Sequence, residues 1–98
     1  MGGISLKYCS YKVGTIVEIT ESSNEKYKYI TIAKNPNDIY THTRLVYSDQ
    51  TLILNCEYVE ISLDKLNVGD EVVAFHSNAE TLSIPPQTSV YILELKSC

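Results

Sequence analysis

The sequence predicts an all-β protein, a small five-stranded OB-like barrel with one short helix between its third and fourth strands. Three observations favour this fold class. Apolar and polar residues alternate over most of the chain, which is the pattern of half-buried strands. A helix start followed by a turn, at residues 62–70, separates the earlier strand regions from two later ones, as in the OB barrel. Gly14 interrupts the first predicted strand, where a small barrel needs a bulge or bend in order to close.

The first strand is predicted over residues 11–21. The alternation places four of its side chains on one face, Val13, Thr15, Val17 and Ile19. A polar hairpin connection follows at residues 21–25, and the second strand covers residues 27–33. In that strand Ile30 and Ile32 are predicted to face inward, and Tyr27 and Tyr29 to face outward.

The middle of the chain holds two β-rich runs, residues 44–47 and 51–54, whose relation the sequence leaves open. A turn at residues 35–38 stops the second strand, because proline cannot donate to a ladder and Asn and Asp satisfy local backbone groups. The two runs form either one bent strand or a hairpin of two. Residues 59–61 are expected to add a short pairing.

The later part of the chain is predicted to contain the helix and the last two strands. Ser62 is the expected N-cap of a short helix that carries Leu63 and Leu66. The turn at residues 68–70 ends this helix. The fourth strand then covers residues 71–76, and the fifth covers residues 90–95.

Length and charge limit the domain organisation and the partners. The chain has 98 residues, enough for one domain with a single core, and we expect one OB-like domain over residues 1–98 with residues 1–10 as an N-terminal arm. Eight Lys and Arg stand against twelve Asp and Glu, and the net charge of −4 makes nucleic acid an unfavoured partner. A local basic cluster is nevertheless visible in the sequence around the second strand, at Lys26, Lys28 and Lys34.

The cysteines and histidines do not form a recognised metal motif. Cys9, Cys56 and Cys98 are far apart in sequence, so we expect reduced thiols, neither a disulfide framework nor a C-x-x-C clamp. A metal site would require His42 and His76 to converge with distant cysteines. We therefore predict no metal and no cofactor.

The N-terminus lacks the cationic and then apolar run of a secretion signal, and no apolar stretch is long enough to span a bilayer. We expect no membrane insertion. The chain as it stands is expected to be cytoplasmic. If a native leader has been removed, the expected location is extracytoplasmic.

The connection between the fourth and fifth predicted strands, residues 77–88, is the candidate ligand-binding segment. It supplies hydroxyl and amide groups from Ser77, Thr81, Ser83 and Gln87, while Pro85 and Pro86 hold a stiff backbone. Loops on rigid scaffolds often carry function, and this loop flanks the ligand-binding face of OB barrels. The alternative is that the hydroxyls cap turns and the loop is structural.

This segment resembles an uncharacterised family of small OB-like domains from Gram-positive bacteria, marked by the pattern H-S-x-A-x-T-x-S-x-P-P-Q. The matching residues are His76, Ser77, Ala79, Thr81, Ser83, Pro85, Pro86 and Gln87. The resemblance extends from Val13 to Leu95 through similar turn patterns. It implies the barrel and the loop but no biochemical activity, and it implies that some relatives are parts of secreted or cell-envelope proteins.

His76 has a side chain that can act as a base, a metal ligand or a structural hydrogen-bonding group. Its neighbour Ser77 points to the opposite face of an extended chain, which argues against a direct Ser-His nucleophile pair. We expect His76 to fix the shape of the loop.

The sequence thus leaves three functions open. The first is a non-enzymatic module that binds a protein, a peptide or a small polar ligand through the loop and through Tyr27 and Tyr29. The second is a single-stranded nucleic-acid binder, in which bases stack on those two tyrosines beside the lysines. The third is a small hydrolase centred on His76, for which no nucleophile, acid pair or metal set stands at a recognised spacing. The oligomeric state stays open.

Overall fold

The computed structural model describes residues 9–21 and 28–96, which contain six strands and two short 3₁₀ turns. The strands are β1 (Cys9–Glu21), β2 (Lys28–Ala33), β3 (His42–Tyr47), β4 (Leu52–Leu54), β5 (Glu71–Ser77) and β6 (Gln87–Leu95). The 3₁₀ turns are Ile39–Thr41 and Leu63–Lys65. No helix in this part of the chain is long and apolar enough to cross a membrane.

Five of the strands close into a barrel. β1 is antiparallel to β5 along its first half and to β2 along its second half. β2 pairs with β3 and β5 pairs with β6, both antiparallel. A parallel pairing of β3 with β6 completes the ring in the order β1, β2, β3, β6, β5. The predicted all-β fold, a small five-stranded barrel, is confirmed.

β4 continues the path of β3 beyond the turn at residues 48–51. Both strands run parallel to β6, β3 beside its first part and β4 beside its second part. A hairpin would place β3 and β4 in opposite directions, so the structure agrees with one bent and interrupted strand. The Thr51 hydroxyl fastens the interruption to β6, because it donates to the Val90 carbonyl at 2.8 Å.

The irregularity in β1 lies at Val17 and not at the predicted Gly14. The register between β1 and β2 shifts at Val17, which marks a β-bulge. A bulge reverses the side to which the following residues point. Gly14 and Ile16 therefore face inward before it and Ile19 packs against the core after it, whereas Val13, predicted to share a face with Ile19, is 41% exposed.

Gly14 meets a different requirement, the close approach of β2. A Cβ added at Gly14 would lie 3.0 Å from the carbonyl oxygen of Ala33. This contact lies where β1 changes its partner from β5 to β2, at Thr15. A glycine at this point allows the end of β2 to lie directly on β1.

The predicted helix between the third and fourth barrel strands is a 3₁₀ turn, Leu63–Lys65, and not an α-helix. Ser62 occupies the N-cap position but makes no capping hydrogen bond with its side chain. Its hydroxyl donates instead to the carboxylate of Asp64, which lowers the pKa of that exposed group. Leu66, just after the turn, is buried, and Leu63 packs against the core.

The turn at residues 67–70 ties this end of the barrel to the bulge. Gly69 has a φ of 101°, a left-handed conformation that favours glycine. Its N–H donates to the Ile16 carbonyl at 2.8 Å, and the Ile16 N–H donates to the Asp70 carbonyl at 2.8 Å. The bulged strand and the turn before β5 therefore hold each other in register.

The core is made almost entirely of aliphatic side chains that point inward from these strands. Its members are Ile16, Ile30, Ile32, Leu45, Ile53, Leu66, Val72, Ala74, Val90 and Leu93. The predicted inward positions Ile30 and Ile32 are thus confirmed. β1 begins at Cys9, so the last two residues of the predicted N-terminal arm belong to the barrel, and residues 1–8 lie outside the described part of the chain.

Cys56 departs from the sequence expectation of reduced thiols. Cys56, in the turn after β4, is disulfide-bonded. The prediction of a reduced thiol is therefore wrong at this position. Cys98 lies outside the described residues, as does the hairpin connection predicted to join the first two strands, save for Glu21.

Candidate functional site

A cavity of about 430 Å³ opens at one end of the barrel, and we call it the barrel-mouth cavity. Its walls come from β1, from the β2–β3 loop (residues 34–41), from the start of β3 and from the β5–β6 loop (residues 78–86). The lining residues include Lys12, Lys34, Tyr40, His42, Thr43 and Pro86. They come from distant parts of the sequence and meet because the barrel closes.

Lys12 is the charged side chain that projects into this cavity from β1. It is in phase with the buried Gly14 and Ile16, so it belongs to the inward face of the strand. Its ammonium group donates to the Thr43 hydroxyl at 3.1 Å and lies 3.6 Å from the Glu80 carboxylate. Thr43 pairs with Ile32, the residue before the end of β2, so the lysine links β1 to β3 close to that end.

The β2–β3 loop forms the opposite wall and is held by its own hydrogen bonds. The Asp38 carboxylate accepts the Tyr40 N–H at 3.0 Å, and the Asn35 side-chain oxygen accepts the Asn37 N–H at 3.0 Å. The Thr41 hydroxyl lies 2.8 Å from the carbonyls of both Asn35 and Asp38. The predicted turn at residues 35–38 is thus confirmed, and it presents Tyr40, 78% exposed, at the rim.

An unpaired strand edge runs beside the cavity. From Cys9 to Gly14, β1 pairs with β5 alone among the described residues, because its pairing with β2 starts at Thr15. Lys12 and Val13, which lie on this segment, both line the cavity. The backbone of β1 can therefore accept another extended chain at the place where the cavity opens.

The hydroxyl groups of the β5–β6 loop that were predicted to bind a ligand make hydrogen bonds within the loop. The Ser83 hydroxyl donates to the Pro85 carbonyl at 2.9 Å, and the Thr81 hydroxyl lies 2.7 Å from the Ser83 hydroxyl. The Thr81 oxygen also accepts the Gln87 N–H at 2.9 Å. The pattern of Thr, Ser, Pro and Gln in the sequence thus describes a closed hydrogen-bonded loop.

Two further contacts fasten this loop to the barrel. The buried Thr88 hydroxyl lies within hydrogen-bonding distance of the carbonyls of Ser77 and Ala79, at 3.0 and 2.8 Å. The Arg44 N–H donates to the Pro86 carbonyl at 2.8 Å. β6 begins at Gln87, three residues earlier than predicted, so Gln87 and Thr88 belong to the barrel wall.

His76 lies inside the barrel, 1% exposed, at the end of β5. Its Nδ1 atom is 2.8 Å from the Ser77 carbonyl oxygen, and its Nε2 atom is buried with no hydrogen-bond partner among the described residues. Ser77 is on the other side of the strand, where its hydroxyl accepts the Ala79 N–H at 3.0 Å. The two side chains are not arranged as a nucleophile and its base.

A second, smaller cavity of about 330 Å³ adjoins the β5–β6 loop. Three of the predicted ligand-binding residues, Ser77, Thr81 and Gln87, line it together with Glu80. Pro86 lines the barrel-mouth cavity instead. The Ile84–Pro85 peptide bond is cis, and the loop tip exposes Leu82 and Ile84.

The tyrosine surface is only partly described. Tyr29, half-buried on β2, has the Arg44 guanidinium 5.7 Å from its ring centroid, a cation–π distance. Tyr27 lies outside the described residues. The structure does not bring Tyr29 into either cavity.

Across the described residues, no group of three or more His, Cys, Asp and Glu side chains is placed to hold a metal ion. The His42 Nε2 atom lies at a hydrogen-bonding distance of 3.1 Å from the Pro36 carbonyl oxygen. The predicted ligand-binding residues thus divide between two cavities, the loop interior, the barrel interior and β2.

Sequence reasoning did not single out Lys12, Thr43 and Tyr40 for the site. One signal for Lys12 was present, namely a charged residue in phase with the inward Gly14 and Ile16. The alternation alone assigned the two faces of β1 wrongly, because the bulge at Val17 reverses the side to which the side chains point.

Comparison with known protein families and with curated proteins found no match.

Proposed function

We propose that this protein is a non-enzymatic binding module that takes an extended segment of a partner protein or peptide at the barrel-mouth cavity. The observation that carries the proposal is the cavity beside an edge of β1 that pairs with no other strand of the described residues. Extended peptides bind in this way when their backbone adds a strand to a sheet edge and their side chains enter neighbouring pockets.

The size and the rim of the cavity support this proposal. A volume of about 430 Å³ lies within the range of small ligand sites, so it accommodates a few side chains of a peptide. Tyr40 is the exposed aromatic residue at its rim, and exposed aromatics are enriched among residues that dominate binding energy. Val13 and Pro86 add apolar surface beside it.

In the proposed binding site, the β5–β6 loop forms a rigid wall of the cavity. Because Thr81 and Ser83 bond within the loop, their role is to hold Pro86 in place at the cavity. Among the predicted ligand-binding residues, Pro86 is therefore the one we assign to direct contact. A rigid wall loses little conformational entropy when a ligand binds.

We propose further that the barrel is of the OB type. Its five-strand closure and the 3₁₀ turn before β5 support this assignment. Membership of the Gram-positive family with the H-S-x-A-x-T-x-S-x-P-P-Q pattern stays a prediction. A non-enzymatic role is supported by the burial of His76, the residue on which a hydrolase would be centred.

Single-stranded nucleic acid is the second candidate, and Tyr29 and Arg44 carry it. The two side chains are in contact on neighbouring strands, β2 and β3, and aromatic rings with basic neighbours bind unpaired bases. Arg44 already occupies one face of the Tyr29 ring, and the net charge is −4, so this candidate ranks below peptide binding. Fluorescence anisotropy with labelled oligonucleotides over a salt series tests it, and absence of salt-sensitive binding removes it.

The disulfide at Cys56 supports an extracytoplasmic location as part of this proposal. Disulfides form and persist in oxidising compartments and are rare in the cytosol. The test is the intact mass of protein purified without reductant, before and after reduction. A gain of two hydrogen atoms per disulfide is expected, and an unchanged mass would contradict the bond.

The main experiment uses a variant that fills the cavity. Val13 lines the cavity and is 41% exposed, so Val13→Trp places an indole in the ligand's path without overpacking the core. Val59, in the turn after β4, is 56% exposed, and Val59→Trp is the matched control. A random peptide library displayed on phage is panned on the unmodified protein.

We expect the enriched peptides to bind the unmodified protein and Val59→Trp, and to lose at least tenfold in affinity for Val13→Trp. Equal binding to all three proteins would place the peptide site elsewhere. Failure of any peptide to be enriched would contradict peptide binding. Circular dichroism melting curves of both variants show whether the fold is retained.

A further inference from the structure

We propose that the barrel-mouth cavity selects a carboxylate group of the bound peptide, and that Lys12 and Lys34 are the residues that recognise it. This inference rests on the proposed peptide-binding function and adds the chemical class of the ligand. Its basis is the reversal of charge between the cavity and the rest of the molecule.

The protein as a whole is acidic, with a net charge of −4, but the barrel-mouth cavity is basic. Lys12 and Lys34 line it, together with His42, and no Asp or Glu is found among the described residues that line it. A basic concave surface on an acidic molecule attracts anions to that one place. In the rest of the sequence, six Lys and Arg (the eight of the whole chain less Lys12 and Lys34) stand against twelve Asp and Glu.

Lys12 can bind an anion because its contacts with Thr43 and Glu80 leave its positive charge incompletely neutralised. Its ammonium group has three donors, one of which is used by the Thr43 hydroxyl at 3.1 Å. The Glu80 carboxylate lies 3.6 Å away, which is an ion-pair distance and longer than a charge-assisted hydrogen bond. The lysine side chain is 38% exposed, so a ligand can reach it.

Glu80 competes with the ligand carboxylate for Lys12. It lies on the exposed part of the β5–β6 loop, and its side chain is 30% exposed. An incoming carboxylate takes the place of Glu80 at Lys12. Removing the charge of Glu80 should therefore strengthen binding, whereas removing the charge of Lys12 should weaken it.

The geometry favours a peptide carboxylate over the phosphates of a nucleic acid. Lys12 lies inside a cavity at the barrel end, and nucleic-acid backbones are tracked by basic residues that extend along an open groove. The unpaired edge of β1 contains Lys12 itself, so a chain paired with β1 carries its side chains directly past the ammonium group. Glu80 at the border of the cavity repels a polyanion but allows a single carboxylate to compete.

The experiment uses three short peptides with capped or free ends. The first alternates valine and glutamate and has both ends capped. The second replaces each glutamate by glutamine. The third is the glutamine peptide with a free C-terminal carboxylate, so that side-chain and chain-end carboxylates are distinguished. An oligothymidylate is the fourth probe, and calorimetry gives the affinity of each.

We expect at least one carboxylate peptide to bind about tenfold more tightly than the capped glutamine peptide, as is typical of a charge-assisted hydrogen bond. Lys12→Met should abolish that difference, and Glu80→Gln should increase it. Lys65→Ala removes a positive charge from the 3₁₀ turn before β5 and is the control that should leave it unchanged.

The outcomes separate this inference from the function on which it rests. If capped glutamine and glutamate peptides bind equally and Val13→Trp weakens both, peptide binding stands and carboxylate selection is overturned. If oligothymidylate binds more tightly than every peptide and Lys12→Met abolishes this, the anion is a phosphate and the inference is wrong. If Lys65→Ala weakens binding as much as Lys12→Met, the effect is general charge, and the inference also fails. Should Lys12→Met unfold, Glu80→Gln and Lys12→Arg still decide the sign of the effect.

Discussion

The two ends of the barrel are built from different kinds of residue. At one end, the turn before β5 packs Leu63 and Leu66 against the aliphatic core, and its backbone is hydrogen-bonded to Ile16, next to the bulge. At the other end, Thr43, His76 and Thr88 are buried polar residues, and Lys12 enters from β1. One end is closed by apolar burial and the other stays open as a polar cavity, so stability and binding should respond to different substitutions.

Leu66→Ala should have the largest effect on stability. Leu66 is 5% exposed at the closed end, and removing a buried leucine side chain lowers the free energy of unfolding by about 2–5 kcal/mol. Urea denaturation measures this change. Leu82→Ala is the control, because Leu82 is fully exposed at the tip of the β5–β6 loop and should change stability by less than about 0.5 kcal/mol. A small effect of Leu66→Ala would mean that this end is not closed by apolar packing.

Gly14→Ala tests the wall that joins the two ends. The added methyl group would lie 3.0 Å from the Ala33 carbonyl oxygen, and a backbone atom cannot move away cheaply. Overpacking of this kind costs about 1–3 kcal/mol. The same denaturation measurement checks it. An unchanged midpoint would show that β2 does not end against β1 as described.

Thr88→Val tests the polar end with a change of nearly equal volume. The substitution removes the hydroxyl that reaches the Ser77 and Ala79 carbonyls, and leaving buried groups unpaired costs about 1–3 kcal/mol. Hydrogen exchange should rise at the amides of the β5–β6 loop and stay unchanged around Leu66. Thr88→Ser, which restores the hydroxyl, should recover most of the loop protection. Uniform loss of protection would mean that the two ends are not separable.

Tyr58→Gly should produce the smallest effect, and in the opposite direction. Tyr58 has a φ of 63° in the turn after β4 and is 71% exposed, so its side chain contributes little packing. Glycine adopts this conformation without the steric cost of a Cβ atom, and stability should rise by up to about 1 kcal/mol. Thermal denaturation checks the sign. A loss of stability would mean that the tyrosine ring makes contacts that outweigh the strain.

The closed end and the polar end also differ in how well the sequence predicts them. Alternation identifies Ile30 and Ile32 as core residues, and the turn with Gly69 before β5 follows from its composition, because these features depend on neighbouring residues. The bulge at Val17 is not visible in the sequence, since it depends on the pairing of β1 with two strands. Because the extra residue in β1 goes unnoticed, the side chains before it are assigned to the wrong face. Lys12 is therefore not recognised as a residue that points inward.

The candidate site illustrates the same limit. The sequence singles out the hydroxyls of residues 77–87, but it does not show whether they face a ligand or one another. In the structure Thr81 and Ser83 satisfy each other and the loop backbone. Lys12 and Thr43 meet only because β3 closes the ring with β6, and such a contact between distant segments has no local pattern.

The proposal that the barrel mouth is the binding site is tested most directly by amide chemical shifts during titration with the valine–glutamate peptide. We expect the largest shifts at residues 12–13, 34 and 40–43, with little change at residues 63–69. Shifts centred on Tyr29 and Arg44, on the loop tip at residues 82–84, or on the closed end would contradict the account, as would a spectrum that does not change.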